Sequence, residues 1–152
     1  GFDTWLGYEN NNAQYDTWLH GHVGDEEVES HRLERYETDA LTDLLLRHIE
    51  ERAAGEAPFF AALSAQPPHN PYVAPAEWMG RHTPARVQLR PNVPDVDGVR
   101  ARARRELAGY YAMIENLDWN VGRVVEALRA RGLYDDTHIV FFSDHEIGRA
   151  HV

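Results

Sequence analysis

One pattern occurs twice in this chain and limits its fold more than anything else: a long amphipathic helix period, then a short apolar run. In the first copy, Leu41, Leu44, Leu45, His48 and Ile49 fall on one face of a helix over residues 37–54. Glu37 and Asp39 put negative charge near its start, where the helix dipole favours it, and Gly55 supplies a stop. Pro58-Phe59-Phe60-Ala61-Ala62-Leu63-Ser64 follows, and its continuous apolar character suits a strand buried on both faces. In the second copy, Leu107, Tyr111, Ile114, Leu117, Val121, Val124, Val125 and Leu128 form the stripe of a helix over residues 99–131. Asp97 is the expected N-cap, Arg129 and Arg131 sit in the last turn, and Gly132 ends it. His138 to Phe142 then reads as a strand finished by Ser143-Asp144-His145. Helices alternating with buried strands predict an α/β fold with a mainly parallel sheet and helices on its faces.

The remaining segments carry weaker signals. Residues 1–36, rich in Gly, Asn, His, Tyr and Trp, read as a long loop region with short elements at most. Residues 65–72 hold Pro67, Pro68 and Pro71, which stiffen the loop and exclude helix. Residues 73–98 read as a surface excursion with one helical turn at Pro75 to Met79. The 152 residues suit one domain or a piece of a larger one. No apolar run is long enough to span a bilayer. The formal net charge of −10 argues against a general nucleic-acid binder, since little would neutralise phosphates. Without cysteine there are no disulfides, thiolate metal sites or cysteine nucleophiles in this stretch.

Both ends look unusual. Gly1-Phe2-Asp3-Thr4-Trp5 has neither an initiator Met nor the pattern of a signal peptide, and reads as the interior of a longer protein. Compartment and oligomeric state are open on this reading. The last seven residues, Glu146-Ile147-Gly148-Arg149-Ala150-His151-Val152, back-translate as GAG ATC GGA AGA GCA CAC GTC. After its first G, that string matches a common sequencing-adapter sequence. We expect the native chain to end at His145 and residues 146–152 to be read-through; native codons for this heptapeptide in the source locus would refute that.

Three polar residues sit where an α/β sheet places its function, beyond the carboxyl ends of strands: His69 after the first apolar run, and Asp144 and His145 after the second. Asp144 offers a carboxylate suited to hard divalent cations, and His145 a ring nitrogen suited to Mn or Zn. His69 offers a ring N–H to an anionic oxygen. Each has an ordinary reading too. An Asp at a strand end commonly serves a turn or helix cap, and a His after two prolines is commonly a surface residue. His20-Gly21-His22 imitates a metal motif but fits solvent exposure in a Gly-rich loop; Asp118 fits a solvated or capping group; Trp5, Trp18 and Trp119 fit packing roles.

Five segments in order resemble the sulfatase family of the alkaline-phosphatase-like superfamily. They are Gly1-Phe2-Asp3; Tyr36-Glu37-Thr38-Asp39-Ala40-Leu41-Thr42-Asp43; Pro58 to Ser64 with Pro67-Pro68-His69-Asn70-Pro71-Tyr72; Tyr110 to Asp118 with Val121-Gly122-Arg123; and Asp136-Thr137 through Ser143-Asp144-His145. Together they cover residues 1–145, as an internal fragment of the catalytic domain. The resemblance implies a three-layer α/β/α sandwich that hydrolyses sulfate esters or sulfamates of small molecules or saccharides. It implies a divalent cation, usually calcium with magnesium or manganese as alternatives, beside a formylglycine made from Cys or Ser. On it, Asp144 and His145 match two metal ligands, and His69 matches the histidine that contacts the sulfate group. The formylglycine region, an earlier Asp pair and the family's catalytic lysines have no counterpart here, and Glu146 stands where the family has Gly. The fragment alone is therefore expected to be inactive. A phosphate or phosphonate ester hydrolase of the same superfamily and a non-catalytic ion-binding module are the competing readings.

Overall fold

The computed structural model describes residues 1–9 and 12–143. The two strong helix periods become α1 (Glu37–Ala53) and α3 (Asp97–Ala130), with a short α2 (Ala76–Arg81) between them. Two 3-10 turns, Pro84–Arg86 and Tyr134–Asp136, flank α3. Asp97 is the first helical residue of α3 and not its cap. Val96 holds the cap position, and no side chain caps the helix there.

The N-terminal region, expected as loop, folds as an antiparallel sheet of β1 (Thr4–Gly7), β2 (Trp18–Val23) and β3 (Glu26–Arg32) in the order β1-β2-β3. Thr4 pairs with Val23 and Gly7 with His20; Val23 pairs with Glu26 across the two-residue connection Gly24-Asp25. A bulge lies between Leu19 and Gly21. There the backbone of β1 approaches so closely that a Cβ on Gly21, at φ 153°, would fall 1.9 Å from Trp5 O. Only glycine fits that crossing. Leu19 is the one fully buried side chain of these strands, so the alternation that betrays a strand is almost missing from the sequence.

The expected parallel sheet is absent among the described residues, and the sheet present is antiparallel. Neither residues 58–64 nor residues 137–143 pair with a strand. Phe60 is 75% exposed and Phe142 82%. A strand exists through its ladder, and these runs have no neighbour among the described residues to complete one.

Among the described residues, buried hydrophobic side chains gather in two small clusters. Leu19, Leu33, Ala40 and Leu41 gather under the sheet with Tyr8 and Leu44. Ala74, Trp78, Ala112 and Met113 join α2 to α3 with Tyr72 and Met79. The buried face of α3 is thus Ala103, Ala108, Gly109, Ala112, Met113, Asn116, Asn120 and Leu128. Of the expected stripe, Tyr111 and Ile114 are exposed and Leu128 is buried. At Gly109 the helix meets the backbone of Tyr72 at close range, and a larger side chain would not fit between.

Candidate functional site

The loop between α1 and α2 is fixed by its prolines. The Pro67-Pro68 and Asn70-Pro71 peptide bonds are cis, and His69 lies between them. The backbone N–H of His69 donates to Gln66 O at 3.0 Å. Its ring Nδ1 lies 2.7 Å from Asn70 O and 3.2 Å from Asn12 Oδ1. A backbone carbonyl only accepts, so Nδ1 carries the proton. The half-buried ring therefore keeps Nε2 for a ligand, and Nε2 donates to an anion only when the ring carries both protons.

The loop is seated on α3. A Cβ on Gly109 would lie 2.3 Å from Tyr72 O, so the helix and loop touch backbone to backbone. The Tyr72 ring meets Tyr110 edge-on at 6.0 Å and packs into the cluster around Trp78.

The other partner of His69, Asn12, belongs to a segment held by a buried polar lock. The N–H of Glu37 donates to Gln14 O at 2.8 Å. The Glu37 carboxylate, fully buried, accepts from Thr17 Oγ1 at 2.5 Å and from the Tyr8 hydroxyl at 2.7 Å. Burial and the neighbouring Glu37 carboxylate hold the Tyr8 phenol well above its ordinary pKa, so it remains a donor. Two residues on, Asp39 Oδ1 accepts from Asn116 Nδ2 and Asn120 Nδ2, each at 2.8 Å. Asp43 pairs with Arg35 and with Arg123, and Arg123 also donates to Asn120 Oδ1 at 2.9 Å. Glu37, Asp39 and Asp43 thus tie the segment before β2 and the middle of α3 to α1. Next to Asn116 on α3, Glu115 accepts from Arg81 at 2.8 Å and pairs with His82 at 2.7 Å. Arg81, with His82 in support, holds the Glu115 carboxyl below the usual carboxylate range.

Of the residues singled out in the sequence, His69 stands in this ordered loop, while Asp144 and His145 lie outside the described residues. His20 and His22 are half-buried on β2, not in a solvated loop, and His20 meets the Trp5 ring at 5.4 Å. Asp118 is exposed on α3, as expected of a solvated group. Trp5, Trp18 and Trp119 are all part-exposed. Trp119 packs against Trp78 with the Arg123 guanidinium 4.9 Å from its ring centroid. Among the described residues, no group of three or more His, Cys, Asp or Glu gathers as a cation would require.

Sequence reasoning missed the lock. Glu37 and Asp39 read there as helix-dipole charges. The available signal was Asn116, Asn120 and Arg123 at helical spacing beside the small residues Gly109 and Ala112.

The family model described as Sulfatase matches residues 1–151. The chain belongs to the sulfatase family. It is 31% identical over 147 residues to the Ulvan-active sulfatase of Formosa agariphila, covering 95% of this chain and 28% of that protein. It is 26% identical over 156 residues to the Endo-4-O-sulfatase of Bacteroides thetaiotaomicron, covering 95% of this chain and 29% of that one. The solved structure of the sulfatase-named yidJ protein of Bacteroides fragilis superposes with a TM-score of 0.76 at 24% identity, over 90% of this chain and 30% of that one. That likeness shows the fold. The sulfatase chain described here therefore spans less than a third of the lengths of these relatives.

Proposed function

We propose that this chain is part of a sulfuric ester hydrolase and that His69 contacts the sulfate group of its substrate. The observation that carries the reading is the anchoring of the His69 ring. Nδ1 is spent on Asn70 O and Asn12, which leaves Nε2 as the group to meet an oxyanion. In the doubly protonated ring, Nε2–H donates to a sulfuryl oxygen and offsets the charge that grows on the equatorial oxygens during sulfuryl transfer. The clamped loop and its seat on α3 keep that donor in place, so little reorganisation is needed at the moment of reaction.

The rest of the machinery belongs to the same proposal. Residues 58–64 and 137–143 would be strands of the larger three-layer sandwich, mainly parallel, and their exposed apolar side chains support this. Asp144 and His145 would hold a divalent cation, calcium by family resemblance. That assignment rests on the donor chemistry of the pair alone, since the described residues do not assemble a cation site. When bound, such a cation would stabilise anionic oxygens as a Lewis acid. The nucleophile, a formylglycine by family resemblance, would lie outside this chain, so the chain alone is expected to be inactive.

The test uses the enzyme encoded by the full gene. It should hydrolyse an aryl sulfate faster than the matching aryl phosphate, and His69→Gln should lower kcat by about 10²–10³. A preference for the phosphate would favour the phosphate or phosphonate ester hydrolase. Unchanged turnover in His69→Gln would remove His69 from the reaction.

A further inference from the structure

Four arginines crowd the start of α3, at 100, 102, 104 and 105. Three of them are engaged. Arg100 pairs with Asp95 at 2.8 Å, Arg102 with Glu106 at 2.6 Å, and Arg104 donates to Val87 O. Arg105 has no hydrogen bond or ion pair among the described residues, and it is exposed. Its position on the helix matters. Arg105 precedes Gly109 by four residues, so the two share one face. Gly109 is where the backbone of Tyr72 touches the helix, which brings Arg105 alongside the stretch Asn70 to Tyr72. Asn70, Pro71, Tyr72, Arg105 and Glu106 in fact line one open groove of about 330 Å³. Glu106 is paired with Arg102, which leaves Arg105 as the guanidinium of the groove without an ion pair among the described residues. Asn70 adds an amide, and it directly follows His69 in the chain.

We propose that this groove is a second anion subsite, which takes a sulfate or carboxylate group elsewhere on the substrate molecule whose ester His69 contacts. The preferred substrate is then a molecule with two acidic groups. The inference rests on the sulfatase reading of His69. A guanidinium fork matches the planar edge of a carboxylate or two oxygens of a sulfate, which makes an unpaired arginine in a groove a natural oxyanion reader. The groove is open, so the contribution is that of a solvated ion pair. It should appear as a preference of about three- to fivefold and weaken with salt.

The experiment titrates the enzyme encoded by the full gene, produced without maturation of its nucleophile so that no ligand is turned over, with three ligands, and follows the His69 imidazole and Arg105 Nε resonances by NMR. The ligands are a monosulfated disaccharide, its disulfated form, and the form with a carboxylate in place of the second sulfate. Wild type should bind the two doubly charged ligands about three- to fivefold more tightly than the first. Arg105→Gln should erase that preference and leave the monosulfated ligand unchanged, Arg105→Lys should keep part of it, and Arg47→Gln, at an exposed position on α1, should keep all of it. The two doubly charged ligands separate sulfate from carboxylate as the second group. If the monosulfated ligand moves His69 but Arg105→Gln leaves the preference intact, the subsite is overturned and the reading of His69 survives. If no ligand moves His69, that reading fails and the subsite fails with it.

Discussion

Asp39→Ala tests whether the buried lock between α1 and α3 holds the structure together. The carboxylate is nearly buried and serves two amides, Asn116 Nδ2 and Asn120 Nδ2, each at 2.8 Å. Truncation leaves those donors in a site that water does not reach. Asn120 Nδ2 retains Asn116 O at 3.0 Å, so most of the loss falls on Asn116. A buried donor stripped of a charged acceptor costs about 1.5–3 kcal/mol, and the weakened second bond adds about 1 kcal/mol. Asp39→Ala should therefore destabilise by about 3 kcal/mol. Asp39→Asn keeps an oxygen acceptor in place and gives up the charge, so it should cost about 1 kcal/mol. The assay is urea unfolding at low micromolar concentration, followed by far-ultraviolet circular dichroism. Combining Asp39→Ala with Asn116→Ala should show a coupling of about 1–2 kcal/mol. An Asp39→Ala variant within about 0.5 kcal/mol of wild type, or strict additivity in the pair, would sink the argument that this contact is structural.

Two further outcomes follow from the same packing. Burial holds the phenols of Tyr8 and Tyr36 well above their ordinary value of 10.0. The unfolded chain releases those protons near pH 10 and the folded chain keeps them, so stability should be intact below that point and fall as pH rises beyond it. Tyr8→Phe should flatten the fall and cost about 1 kcal/mol at neutral pH; a denaturation midpoint that is level into strong alkali would contradict this. The exposed side chains of Phe60, Val140, Phe141 and Phe142 should make the chain associate as its concentration rises, visible in light scattering. Phe142→Lys should reduce the association, and a monodisperse chain at high concentration would count against it.

The helices were legible in the sequence because their periods are long. α1 occupies Glu37–Ala53 against an expected 37–54, and α3 occupies Asp97–Ala130 against 99–131. The phase of α3 was not legible. A stripe chosen by side-chain size selects Tyr111 and Ile114, whereas burial selects Gly109, Ala112 and Asn116, because the close Tyr72 backbone at Gly109 and the Asp39 carboxylate at Asn116 fix that face. The sheet was hidden for a related reason. β3 reads Glu-Glu-Val-Glu-Ser-His-Arg with no buried residue, so it is held by its ladder to β2 and hardly by hydrophobic contact. His69 stood out through its flanking prolines. Glu37 and Asp39 did not, because carboxylates in a helical first turn look the same whether water or a buried hydroxyl answers them.

α3 also works as a ruler. Gly109 receives the His69 loop, and Asn116, seven residues later, receives Asp39 of α1. At about 1.5 Å per residue these two docking points stand roughly 10 Å apart on one rigid rod. Inserting or deleting a single residue between them would turn one docking point by about 100° relative to the other, leaving either the loop or the lock misaligned. Length variation should therefore be confined to the connections on either side of this helix, while the interval from 109 to 116 tolerates changes of residue but not of number.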